Sequence, residues 1–170
     1  MPQRGKAYGA SQVVQIQEAS RTDLMVRLIA AAARDHGPAV FVLGASLGDI
    51  VLADVIVRNR IPVDLVAVGA EGEALRTYVA RLYDLDARRV RTAHTLSEAL
   101  FGKQARLTSG RGPGVPPYEY DAGHGLLRFN PLAGWSDADL GAFAAAEHID
   151  RYQPAGYPHA ACRDAERLAA

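Results

Sequence analysis

The chain has 170 residues, 49% of them hydrophobic and 22% charged, the profile of one globular domain and too short for a two-domain enzyme. Lys plus Arg and Asp plus Glu both number 19, so no overall field favours nucleic acid or an anionic membrane. One cysteine, Cys162, excludes an internal disulfide, and no apolar run nears a membrane span of roughly 20 residues; with no leader-like start, the expectation is a cytoplasmic protein.

Residues 1–21 lack a sustained period and read as an N-terminal arm, with a short strand over 13–16, that packs on a second subunit. Residues 22–170 read as a single domain with an irregular tail. Thr22 can cap a helix whose Leu24, Met25, Leu28, Ile29 and Ala32 recur at three and four, and His36-Gly37-Pro38 stops it. AVFVL (39–43) is a strand, and in GASLGD Ser46 caps the next helix with Asp49 three places on, the spacing of a capping box. Pro62 ends that helix and PVDLVAVGA begins a second strand. EALRTYVARLYDL is helical, residues 89–93 form a third strand, TLSEALFG a short helix, and ARLTS (105–109) a fourth strand. GRGPGVPPYEYDAGHG is a long loop of the length that usually serves a site. LLRFN is a fifth strand, and Ser136 caps a last helix over SDADLGAFAAAEHI. Strands alternating with helices, and too apolar to have a wet face, predict an α/β fold: a doubly wound, mostly parallel five-stranded sheet.

In such a sheet ligands bind beyond the carboxyl ends of the strands, where helix N-termini offer free N–H groups and partial positive charge. GASLGD, GAEGE and TSGRGP fall there. Gly44 and Gly48 let the backbone approach a phosphate and the Ser46 hydroxyl adds a donor; the alternative is that the glycines only permit a tight turn. The stretch is neither a Walker loop nor a G-x-G-x-x-G fingerprint. Arg111, between glycines, can take an oxyanion in two parallel hydrogen bonds or be a solvated loop arginine. Asp49 reads as a helix cap. G-A-S-L-G also matches the nucleophile elbow literally, which makes Ser46 as a hydrolase nucleophile a rival reading. His36, His94, His124, His148 and His159 show no metal-binding spacing, so no metal site is expected.

The segment LLRFNPLAGWSDADLGAFAAAEHIDRYQPAGYPHAACRD resembles the C-terminal part of the adenylyl-sulfate and phosphoadenylyl-sulfate (APS/PAPS) reductase family. Asn130, Pro131, Leu132, Trp135, Gly156, Tyr157 and Pro158 match that family in order and approximate spacing. ASLGDIVLADVI is similar to its phosphate loop and following helix, and LTSGRG to its arginine turn. The resemblance covers about residues 22–164. It implies an adenine nucleotide alpha hydrolase-like fold with a sulfonucleotide along the strand ends: Ser46, Leu47 and Gly48 at phosphate, Gly69 in the nucleotide pocket, Arg111 at the phosphosulfate, and Trp135 as packing.

Departures from the family shape the functional expectation. There, a cysteine on a C-terminal tail attacks sulfur and thioredoxin or glutaredoxin releases sulfite from the resulting thiosulfonate; here no cysteine follows Cys162. Cluster-bearing members carry a Cys-Cys pair and a Cys-x-x-Cys. Cys162 falls on the first position of the latter, Ala165 on the second, and the pair is absent, so no four-iron cluster is expected. The family's Asp-Thr-Gly stands here as Ala67-Val68-Gly69. Cys162 therefore reads as a packed or half-exposed thiol, reactive only where His159 or Arg163 lowers its pKa. The leading expectation is a protein that binds a sulfonucleotide or adenine nucleotide and lacks the usual redox residues. The alternatives are a reductase using Cys162 or a partner's thiol, and a ligand-free interaction module. Nucleic acid is not expected as a ligand.

Overall fold

The structure is a computed structural model and describes residues 10–85 and 89–149, with side chains from residue 21 onward. In chain order its elements are α1 (Ala10–Asp35), β1 (Ala39–Leu43), α2 (Leu47–Arg58), β2 (Asp64–Val68), α3 (Gly72–Leu82), β3 (Val90–Ala93), α4 (Leu96–Leu100), β4 (Ala105–Leu107), β5 (Tyr118–Asp121), β6 (Leu126–Phe129) and α5 (Asp137–Ala146).

Six strands form one sheet in the order β3-β2-β1-β4-β6-β5. All neighbours are parallel except β5, which runs antiparallel to β6 along the edge. Strand alternation divides the core into two layers. Phe41, Leu65, Leu107 and Phe129 point to one side, where they pack with Met25 and Ile29 of α1 and Ile50 and Leu52 of α2. Val40, Val66, Ala93 and Leu126 point to the other, against Ala99 and Leu100 of α4. The central strands are covered on both faces, which is why they read as unbroken apolar runs.

Three expectations are corrected. Residues 13–16 are helical, not a strand: α1 starts at Ala10 and runs unbroken past Thr22, which is an interior residue and not a cap. The Gln, Glu and Ala interspersed with Val13, Val14 and Ile16 sustain a helix that the buried Met25, Ile29 and Ala32 anchor farther on. The sheet also has six strands rather than five, because Tyr118–Asp121, read as part of a long loop, pairs with β6. This edge strand is held by charge: Glu119 accepts from Arg128 at 3.0 Å, and Asp121 faces Arg106 at 3.5 Å and His124 at 3.0 Å.

Candidate functional site

Moving outward from β1, the chain builds β2 and β3 on one side, then crosses to build β4 and β6 on the other. The connections leaving the carboxyl ends of β1 and β4 therefore diverge and leave a crevice between them, the topological switch point of an open α/β sheet. One wall is Gly44–Ser46 with the start of α2; the other is Thr108–Arg111.

The first wall is set by a capping box. Ser46 has extended backbone (φ −71°, ψ 156°), its Oγ accepts from the Asp49 N–H at 3.2 Å, and its own N–H donates to Asp49 Oδ2 at 3.2 Å. The Ser46 hydroxyl in turn donates to Asp49 Oδ2 at 2.6 Å. Gly44 makes this possible, since a Cβ there would collide with the Asp49 carboxylate. Two of the helix's four opening N–H groups are thus engaged and the first internal bond is Ile50 N–H to Ser46 O, so that among the described residues the Leu47 and Gly48 N–H groups stay free to meet a ligand. Ser46 hydrogen-bonds no imidazole among the described residues and has the ordinary backbone of an N-cap, without the strain of a nucleophile elbow. The hydrolase reading finds no support there.

The second wall brings Arg111 across to the first. A Cβ on Gly48 would stand 3.3 Å from Arg111 Nη1, 3.1 Å from Ser109 Cβ and 3.3 Å from Leu132 Cδ1. The missing side chain at Gly48 is what lets the guanidinium lie over the start of α2. Its other edge is held by Asp137, the first residue of α5, whose Oδ1 accepts from Nε at 2.8 Å and lies 2.7 Å from Nη2 in an ion pair. Gly112, at φ +104°, and its bridge to Ala133 carry the loop away from Arg111.

One side chain fixes this loop. Asn130, 2% exposed at the end of β6, accepts from the Thr108 hydroxyl and donates to the Pro116 carbonyl at 2.8 Å and to Glu119 Oε1 at 3.3 Å. Its N–H donates to the Pro117 carbonyl at 2.7 Å, while the Gly110 N–H donates to Thr108 Oγ1 at 3.3 Å. Both ends of the segment bearing Arg111 are therefore tied to one buried amide. Trp135 is buried edge-on against Phe143 at 5.5 Å and so packs rather than lines the crevice.

Gly44, Ser46, Leu47, Gly48 and Arg111 thus meet at one place. Gly69 lies apart from Arg111, at the carboxyl end of β2 on the other side of β1, with φ +87° and its N–H donating to the Ala93 carbonyl at 3.2 Å. Cys162, with His159, Arg163 and Gly156-Tyr157-Pro158, lies outside the described residues. Sequence reasoning missed the Asp137 pairing, which joins residues 26 apart in the chain. It also missed Asp54, 3% exposed, which accepts from the Tyr83 hydroxyl at 2.6 Å and pairs with Arg58 at 2.9 Å; a lone acid inside IVLADVIV was the available signal.

Among the described residues no group of three or more His, Cys, Asp and Glu could hold a metal ion, and no helix is long and apolar enough to cross a membrane. A four-iron cluster takes about four thiolates; these 170 residues carry one cysteine and do not supply that set.

No protein-family model matches the chain. Among curated proteins, it is similar to the adenosine 5'-phosphosulfate reductase of Allochromatium vinosum, 28% identical over 195 aligned positions that take in 87% of this chain and 75% of that protein. The protein of the same name from Neisseria meningitidis serogroup B is 34% identical over 83 residues, 44% of this chain and 33% of its own length. Among solved structures, the phosphoadenylyl-sulfate (PAPS) reductase of Candida auris, crystallised as a phosphate complex, matches with a TM-score of 0.60 over 86% of this chain and 91% of that one. At 16% identity that likeness concerns the fold.

Proposed function

We propose that this chain, similar to the APS/PAPS reductases in sequence and in fold, binds a sulfonucleotide across the carboxyl ends of β1 and β4. The phosphosulfate lies at the start of α2, taken by the Leu47 and Gly48 N–H groups and by Arg111, and the nucleoside extends over β1 toward Gly69. One observation carries this reading: at the sheet's switch point Arg111 Nη1 stands beside the open Cα of Gly48, at a helix start where two N–H groups make no hydrogen bond among the described residues. Charge-assisted bonds from a guanidinium and the positive end of a helix are the chemistry that takes an oxyanion. Ser46 joins them once its hydroxyl turns from Asp49.

Calorimetric titration with APS, PAPS, AMP and 3′,5′-ADP tests the reading. Binding of APS or PAPS well above the two controls, weakened roughly tenfold or more by Arg111→Ala, is the expected result. Silence toward all four by folded protein overturns it.

The names of the relatives favour a larger reading, that the bound sulfonucleotide is reduced. A thiolate attacks the sulfur of the phosphosulfate, the bond from sulfur to the phosphate oxygen breaks and AMP leaves from APS. A dithiol reductant then releases sulfite from the thiosulfonate and is itself oxidised to the disulfide. Cys162 is the one thiol the sequence offers for the attack. Sulfite release with thioredoxin that Cys162→Ser abolishes supports this; release unchanged by that substitution assigns the thiol elsewhere.

A further inference from the structure

We infer that Asp137 is a positioning residue of the anion site: it holds one edge of Arg111 so that Nη1 stays aimed at the start of α2. This inference rests on the reading of that site given above. Among the described residues the Leu47 and Gly48 N–H groups of α2 make no hydrogen bond, and the Asp49 carboxylate at that helix start is bonded to Ser46 and not to Arg111, so the helix start does not itself hold the guanidinium. An arginine on a loop of glycines would swing to solvent, yet Arg111 is only 30% exposed and lies over Gly48. Asp137, 87% exposed, is the anion that keeps it there, with one carboxylate oxygen shared between Nε and Nη2.

The geometry divides the guanidinium by function. Nε and one Nη2 hydrogen face outward to Asp137, while Nη1 makes no hydrogen bond among the described residues and stands nearest Gly48. Asp137 and an oxyanion over α2 therefore use different hydrogens of one rigid fork, and holding the first edge orients the second. Asp137 is itself fixed, as the first residue of a helix whose box, Ser136 with Asp139, is closed by bonds of 2.7–3.1 Å. Asp139 is tied in addition to Arg21 of α1 at 2.7 Å. The arginine is thus referred to the body of the fold through α5, not through its own loop alone.

Four proteins titrated with APS test the inference: wild type, Asp137→Asn, Arg111→Ala and the double variant. Asp137→Asn is expected to weaken APS by about threefold to fivefold, the scale of an exposed ion pair. In the Arg111→Ala background the same change is expected to have no effect, since a merely structural role of Asp137 would persist there. Asp137→Asn that binds APS as tightly as wild type or tighter, while Arg111→Ala binds weakly, overturns the inference and leaves the anion site standing. Arg111→Ala that binds like wild type sinks the anion site, and the inference with it. Asp137→Ser, which also keeps a good residue at a helix start, repeats the test if the Asn variant melts early.

Discussion

Gly48 and Arg111, 63 positions apart in the chain, are in contact through the absence of a side chain: a Cβ on the glycine would stand 3.3 Å from the arginine's Nη1. Such a contact separates folding from binding. Gly48→Ala gains helix propensity, which offsets the crowding against Ser109 and Leu132, so stability is expected to change by less than about 1 kcal/mol. Arg111 is pushed off the start of α2, and APS affinity is expected to fall about tenfold. Thermal unfolding beside calorimetric titration reads both quantities.

Gly44→Ala acts the other way. Its Cβ collides with the Asp49 carboxylate that closes the capping box of α2, and the box has to open. Loss of a helix cap costs about 1 kcal/mol, and displacing the carboxylate adds to it. Urea denaturation is expected to show a lower midpoint than for Asp49→Ala, which loses the cap without the collision.

Asn130→Ala removes the buried amide that the exposed Pro116 carbonyl and the half-buried Thr108 hydroxyl bond to, for a loss of about 1–3 kcal/mol. Asn130→Asp keeps the shape but sets a carboxylate against the Pro116 carbonyl and Glu119, and at neutral pH is expected to be at least as damaging. Limited proteolysis of residues 110–117 in both variants checks that this segment is what loosens.

The pH dependence has two limbs. Burial, then the hydrogen bond to Asp54, raises the Tyr83 hydroxyl above its ordinary value. A folded-state pKa above the unfolded value of about 10 means that this contribution is complete below pH 10 and is lost as pH rises beyond it. On the acid side, the Ser136 N–H, then the Ser136 hydroxyl, hold Asp139 below the usual carboxylate range, and His124 does the same for Asp121. Their contributions are complete above about pH 4 and fade as pH falls through the lowered values. Denaturation midpoints measured from pH 2 to 11 are expected to fall at both ends. Tyr83→Phe is expected to flatten the alkaline limb at a cost of about 1.5–3 kcal/mol, since the bond lost is to a buried carboxylate.

What could be read from the sequence follows the range of the forces involved. The Ser46 and Ser136 caps are local, their partners three residues away, and they stand where the spacing put them. The central strands were legible because burial on both faces leaves an unbroken apolar run. Tyr118–Asp121 was not, because an edge strand of two tyrosines and two acids owes its place to Arg128, Arg106 and His124 and has no pattern of its own. The helix over 13–16 was missed because β-branched residues there outweighed the helix formers between them. The two walls of the crevice were predictable from the βα order, but their meeting over Gly48 and the hold of Asp137 on Arg111 depend on distant pairings that no local pattern announces.

The tethering of residues 108–117 to Asn130 at both ends also fixes how the site can adapt. Backbone and buried amide move together, so among the described residues this wall of the crevice does not fold over a guest as a lid would. On this wall adjustment is left to the torsions of Arg111, a reach of a few bonds sweeping above a fixed floor. A receptor built this way selects by the position of a charge along the ligand: an oxyanion one bond too near or too far from the base finds the floor unchanged and the arm already at its limit.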